Sequence, residues 1–339
     1  MGTMRAAVFE KTGSFVIKDV KTPMIESDDQ IILEVKAVSI CGTDVHITSD
    51  PPGYIATPET TLGHEFVGTV VEKGAKVSNL EIGDRVVVNP NNYCGECFYC
   101  RKNLPNLCEH IEALGIDFDG AFAKYCRVSS KVAYKISKSV SDEVAACAEP
   151  LACAINGVKK VNVLPGESAV IVGSGPIGLM IAMLLKASGI GKCFLLEMSP
   201  WRAEFAKKLK IATVLNPRDQ DACGIVMQET GIGADYVFDV TGSQLKSSLG
   251  YVRRGGKIVL FGVNKKAVSE ISQCEITTNE VSVLGTWLAN ATFPEAVKVL
   301  EEKMIDVAAL VTDVMPLEDI HKGLEKLAKG QAIKVVIKP

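Results

Sequence analysis

The sequence predicts an α/β protein in two parts: a β-rich domain carrying metal-ligand loops, joined to a doubly wound parallel sheet. Three observations predict it. Between residue 4 and about residue 140, short apolar runs are broken by Gly, Pro and Asp, the texture of strands and turns with few helices. From Glu167 onward, strand-like and helix-like runs alternate, which argues for a parallel sheet covered on both faces. At the head of that second part, the apolar run 170–172 feeds Gly173-Ser174-Gly175-Pro176-Ile177-Gly178 and then an apolar segment of helical length, 179–188.

The bulk properties agree with this division. A chain of 339 residues is too long for one ordinary core. Hydrophobic residues make up 47% and charged residues 23%, ordinary for a globular protein. A net charge of −3 supplies no basic field to hold nucleic acid or an anionic membrane. Residues 168–185 are uncharged and nominally long enough to span a bilayer, but Gly173, Gly175, Pro176 and Gly178 interrupt them. A buried strand, turn and helix explains the stretch, and no membrane span is expected. No apolar signal-like run opens the chain, and Ala6 stands where a myristoylation signal needs Ser or Thr. The eleven cysteines then point to a reducing, cytoplasmic setting rather than to disulfides.

In chain order, the first strands are expected at 6–9, 31–38, 68–71 and 85–88, the last rich in β-branched Val after an acidic turn. Residues 143–160 are helical in composition and lead to Pro165-Gly166, a natural boundary. Strands follow at 169–172, 193–196, 236–240, 257–261 and 281–284, with amphipathic stretches such as 202–209 between them. Beyond Trp287 come helical patterns at 294–303 and 317–329 and a final strand at 334–337. That strand has no partner in the second domain and is expected to return to the first. The domains predicted are 1–150, containing a metal-stapled lobe at 94–108, then 151–289, with 290–339 rejoining the first.

The glycine-rich turn suits a dinucleotide. Gly173 permits the tight turn, Gly175 lets the backbone approach a pyrophosphate, and Gly178 lets helix and strand pack closely. Pro176 and Ile177 open the helix, whose N-terminus presents free N–H groups to phosphate. Glu197, nineteen residues past Gly178, ends the next apolar run. Its carboxylate is placed to accept from both ribose hydroxyls and to repel a 2′-phosphate, so NAD is expected over NADP. Arg202 is a candidate to lie over the adenosine, against the alternative of a solvated helix charge.

Two clusters suggest metals. Cys94, Cys97, Cys100 and Cys108 fall within fifteen residues of a loop-like stretch. Four thiolates at this spacing can close a tetrahedron around Zn²⁺ and leave no position for substrate, so the role is structural. An iron–sulfur cluster also takes four cysteines, but this is not the common ferredoxin spacing. The second cluster joins Cys41-Gly42-Thr43-Asp44-Val45-His46 to Gly63-His64-Glu65, a thiolate and an imidazole flanked by glycines. A third donor is needed, and Glu149, an isolated acid in an apolar stretch, is the best candidate. Three protein ligands and an open position make a catalytic zinc site.

Taken together and in this order, these motifs and Glu149-Pro150-Leu151 resemble the zinc-dependent medium-chain dehydrogenases, the alcohol, polyol and threonine dehydrogenase group. The resemblance covers nearly the whole chain. It implies a GroES-like catalytic domain, built from both chain ends around an inserted Rossmann domain, with the active site in the cleft between them. It implies Cys41, His64 and Glu149 as ligands of a catalytic zinc, with water in the fourth place. Glu65 is then an alternate ligand or a carboxylate behind the ligands. An acid at 149, where classical members carry Cys, resembles the polyol and secondary-alcohol branch. Dimers or tetramers are implied, with the strand near 281–284 pairing across a two-fold axis. The chemistry implied is hydride transfer between NAD(H) and a secondary alcohol or ketone: a polyol, diol, cyclic alcohol or hydroxy-amino acid. Zn²⁺ acidifies the alcohol, Thr43 takes the proton, and His46 exchanges it with solvent near neutral pH. Asp44 is expected to orient His64 through its other ring nitrogen.

The substrate pocket departs from the sorbitol dehydrogenases. Leu288 stands where they carry an arginine, and Ile47 stands where they carry an aromatic hydroxyl. With Phe118 and Trp287 as the other candidate walls, the pocket favours a small secondary alcohol, diol or cyclic alcohol over a long linear polyol. Two other readings stay open: a zinc-stapled nucleotide-binding protein without catalysis, and a metal-free quinone or enoyl reductase of the same superfamily.

Overall fold

A computed structural model describes residues 2–339. The chain divides into two compact units, one running to Ala152 and resuming at Ala289–Pro339, the other Cys153–Leu288.

The first unit is mainly antiparallel. Its larger sheet runs in the order Ala133–Lys135, Arg85–Val88, Glu65–Lys73, Gln30–Ser39, Lys334–Lys338, Val311–Pro316, with Tyr125–Ser129 also paired to Gln30–Ser39. The last strand pairs antiparallel with Gln30–Ser39, Val336 opposite Ser39 and Ile337 opposite Val38. A smaller sheet joins Thr3–Lys11 to Ser14–Lys21 and Thr60–Thr61. Ile31, Leu33, Phe66, Val86, Phe122 and Val335 share the core that these strands cover. Burying such side chains contributes roughly 1.5–3 kcal/mol each. Thr60–Thr61, Tyr125–Ser129, Ala133–Lys135 and Val311–Pro316 are absent from the sequence expectation, and so is Ser14–Lys21. It pairs only with Thr3–Lys11 and is mostly half-buried, so it shows neither a long apolar run nor a clean alternation.

The second unit holds six parallel strands in the spatial order Thr213–Leu215, Lys192–Leu196, Ser168–Val172, Ala234–Asp239, Val252–Leu260, Ser282–Gly285. Taken by chain position this is 3-2-1-4-5-6, the order whose reversal beside the first strand creates a ligand crevice. Val170, Phe194, Val237 and Ile258 are buried in its core, which is why these strands read as unbroken apolar runs. The edge strand Thr213–Leu215 was not predicted; three residues are too few for a periodicity. Residues 143–160 form two helices, Asp142–Ala145 and Ala148–Val158. The later helical patterns settle as Phe293–Glu301 and Ile320–Ala328. No helix among the described residues is long and apolar enough to cross a membrane.

Candidate functional site

The cysteine quartet forms within a local loop. Cys97 caps the short helix Phe98–Arg101, and Cys108 follows the single turn Pro105–Leu107. The sulfurs of Cys94 and Cys100 lie 3.9 Å apart, those of Cys97 and Cys108 3.9 Å, and those of Cys94 and Cys108 3.5 Å. Four sulfurs bound at ~2.3 Å around one tetrahedral centre stand about 3.8 Å apart, so the cage has the size zinc requires. Backbone N–H groups of Cys94 and His110 donate to Cys108 Sγ, and that of Cys97 to Cys94 Sγ, each at 3.3 Å. Donors of this kind, from Cys100 and Glu109, lower the Cys97 pKa to about 6. The residues fit the ion.

The second cluster is assembled from distant parts of the chain. Cys41 closes the strand Gln30–Ser39 and caps the helix Gly42–Thr48; His64 and Glu65 open the strand Glu65–Lys73. Ser39 and Glu65 are cross-strand partners, which brings the two segments together. Gly63 makes the approach possible. Its φ of +94° suits glycine, and a Cβ there would stand 2.8 Å from the Phe122 ring. Donor atoms of Cys41, His64 and Glu65 lie within 4.8 Å of one another.

Asp44 braces this set. Its Oδ2 accepts from the Cys41 N–H at 2.8 Å, and its Oδ1 lies 3.6 Å from His64 Nδ1. Both facing atoms are buried without a hydrogen bond, although Asp44 is 1% exposed. Burial pushes the Asp44 carboxyl and the Cys41 thiol up. Burial by itself lowers the His64 pKa, but Asp44 and Cys41 hold it well above the usual range. A sulfur, an imidazole and a carboxylate converging in this way fit a divalent metal.

The sequence reading took Glu149 as the third donor and Glu65 as an alternate ligand or a carboxylate behind the ligands. The converging set contains Glu65; Glu149 is buried in the first turn of Ala148–Val158 and acts on His64 through its charge. Glu65 Oε2 is also held by Ser39 Oγ and by the ammonium of Lys334, which is 2% exposed. Lys334 was invisible as a site residue in the sequence. A lysine opening an apolar terminal strand is the one signal available, since lysine is almost never buried unpaired.

Thr43 Oγ1 lies 3.6 Å from Cys41 Sγ. His46 is exposed at the far end of that helix, its ring against Gly53. Ile47 is fully buried in the core, so it packs rather than lines a pocket. Phe118 packs against the same core and lines a cavity of about 270 Å³ with Asn89, Asn92 and Leu114. In the other unit, the carbonyls of Trp287 and Leu288 accept from Asn156 Nδ2 at 3.2 and 2.7 Å.

The glycine turn follows Ser168–Val172 and opens the helix Pro176–Ala187. A Cβ at Gly175 would meet nothing within 4 Å, leaving that backbone open to a ligand, whereas one at Gly178 would stand 2.0 Å from the Gly173 carbonyl oxygen. Ile177 follows Pro176 in the first turn. An open backbone at a helix N-terminus fits a pyrophosphate. Glu197 is buried beside it, its carboxylate bonded to Ser174 and Ser199. Arg202 lies on the helix Pro200–Leu209, its N–H capped by Ser199 Oγ at 3.5 Å and its Nε buried without a partner.

Comparison with known proteins follows the same division. The family model of the alcohol dehydrogenase GroES-like domain matches residues 27–138, and that of zinc-binding dehydrogenases matches 176–302. D-arabinitol dehydrogenase 1 of Uromyces fabae is 34% identical, over 99% of this chain and 97% of its own. A zinc-binding dehydrogenase of Sinorhizobium meliloti 1021, solved with NADP, superposes with a TM-score of 0.92 at 28% identity over the full length of both. An alcohol dehydrogenase of Escherichia coli CFT073, solved with NADH, gives 0.92 at 28% over 99% of each chain.

Proposed function

Because the chain belongs to the zinc-dependent medium-chain alcohol dehydrogenase family, we propose that it interconverts a secondary alcohol and its ketone with NAD(H), through one catalytic and one structural zinc per chain. The observation that carries this is the convergence of Cys41, His64 and Glu65 in a largely buried site. Zn²⁺ bound there supplies a Lewis acid that lowers the pKa of an alcohol hydroxyl.

The residues of the chain do the rest. Cys41 and His64 hold the ion, with Glu65 as third donor or exchanging with Glu149. Asp44 fixes both first ligands, through the Cys41 N–H and by facing His64 Nδ1. The Thr43 hydroxyl, beside Cys41, accepts the alcohol proton as it releases its own toward exposed His46, which exchanges it with solvent. In the second unit the 173–178 turn binds the pyrophosphate and Glu197 the adenosine ribose, with Arg202 beside the adenine.

The D-arabinitol relative supports a polyol, where the sequence at Leu288 and Ile47 by itself favours a smaller secondary alcohol, diol or cyclic alcohol. We place the domains at 1–150, 151–289 and 290–339, the protein in the cytoplasm, and the assembly as a homo-dimer or homo-tetramer. An absorbance screen at the nicotinamide band, across polyols, diols, cyclic alcohols and hydroxy-amino acids, tests the activity. Turnover that a chelator abolishes is expected, and indifference to chelator overturns the zinc mechanism. Metal analysis is expected to give two zinc per chain; one would favour a stapled, non-catalytic binding protein.

A further inference from the structure

Two carboxylates end strands on either side of Ser168–Val172, and counting their hydrogen bonds separates them. A carboxylate offers about four acceptor positions. Asp239 Oδ1 accepts from Thr241 N at 2.9 Å, Thr241 Oγ1 at 2.7 Å and Gly242 N at 3.0 Å, and its Oδ2 from Gln244 N at 2.7 Å. All four donors belong to the loop that follows, three of them on Oδ1, so this acid shapes its own loop. Glu197 Oε2 accepts from Ser174 N at 3.0 Å and Ser174 Oγ at 2.9 Å, and its Oε1 from Ser199 N at 2.8 Å. Three positions are filled and one is left, on Oε1.

From this we infer that Ser174 is a specificity-determining residue for the dinucleotide, acting through Glu197 without touching the ligand. The inference rests on the NAD reading above. Ser174 is 0% exposed and its hydroxyl is spent on Glu197, so it has nothing to offer a cofactor directly. By occupying Oε2 twice, it turns the remaining acceptor of Oε1 toward the sugar. It also ties the acid that reads the ribose to the turn that holds the phosphates, since Ser174 lies between Gly173 and Gly175. The fixed carboxylate keeps its charge where a 2′-phosphate would stand, and loosening it weakens that repulsion.

The test uses the intact zinc-loaded protein and binding rather than turnover. Titrated by fluorescence, NADH is expected to bind Ser174→Ala about tenfold more weakly than wild type, the loss of one hydrogen bond to a charged acceptor. The preference for NADH over NADPH should narrow by a similar factor. In Glu197→Gln, adding Ser174→Ala should cost much less than it does in wild type, because the two act as one unit. Unchanged NADH affinity and selectivity in Ser174→Ala overturn the inference and leave the enzyme reading standing. A wild type that binds neither NADH nor NADPH overturns the enzyme reading itself.

Discussion

The two metal clusters of the first unit are built in opposite ways. Cys94, Cys97, Cys100 and Cys108 lie within fifteen residues, and their cage is made by one loop with a short helix and a turn. Cys41, His64 and Glu65 meet only because two strands pair Ser39 with Glu65. Glu65 is held in addition by Lys334, 269 residues along the chain. The local cage resists little but the loosening of its loop. The distant one is coupled to the whole sheet, which lets a buried charged site hold a fixed geometry.

The comparison is broken most directly at His64. His64→Ala should lower kcat/KM by at least about a thousandfold, the scale of losing a Lewis acid worth several kcal/mol. Metal content should fall from two zinc per chain to one, the quartet keeping its own. If both ions are lost, the clusters are not independent.

Lys334 comes next. Lys334→Met leaves Glu65 a buried carboxylate without its cation, and breaking a buried pair this way costs about 3–5 kcal/mol. Both side chains are 2% exposed, so no solvent discount applies. Denaturant unfolding should show the loss, and Lys334→Arg should restore most of it. A neutral outcome would mean that the pair only accompanies the site.

The two candidate acids sharpen the comparison further. Glu65→Ala should weaken zinc binding at the catalytic site by at least about 10–100-fold, the range seen when a group that only supports the ligands is removed. Glu149→Ala should cost less, measured by chelator competition, since Glu149 stands outside the converging set. The reverse order would restore Glu149 as the third ligand. The smallest effect on chemistry is expected at the quartet. Cys94→Ser should release one zinc and lower Tm by several degrees, with turnover retained where the variant stays folded. Loss of turnover in a folded protein of normal metal content would make the lobe more than a staple.

Much of the fold was legible because its signals are local. The strands at 169–172, 193–196, 236–240 and 257–261 are apolar runs because their sheet is buried on both faces, and each appears within a residue or two of its expected place apart from the longer start of Val252–Leu260. Thr213–Leu215 and Ser14–Lys21 were not legible, one too short and one too exposed to leave a period. At the nucleotide site, the glycine spacing announces the turn, but nothing in the spacing says that Ser174 and Ser199 already occupy most of Glu197.

What the sequence determined by itself is whatever a few neighbouring residues can build: the quartet, the glycine turn, and Cys41 beside Thr43 and Asp44. Backbone reach over fifteen residues is short enough that spacing alone fixes which ligands can meet. Tertiary structure decided which acid faces Cys41 and His64. That choice depends on cross-strand register and on a terminal strand delivering Lys334 into a space where an unpaired charge is unaffordable. Register is set by the burial of whole strand faces, so no single motif carries it.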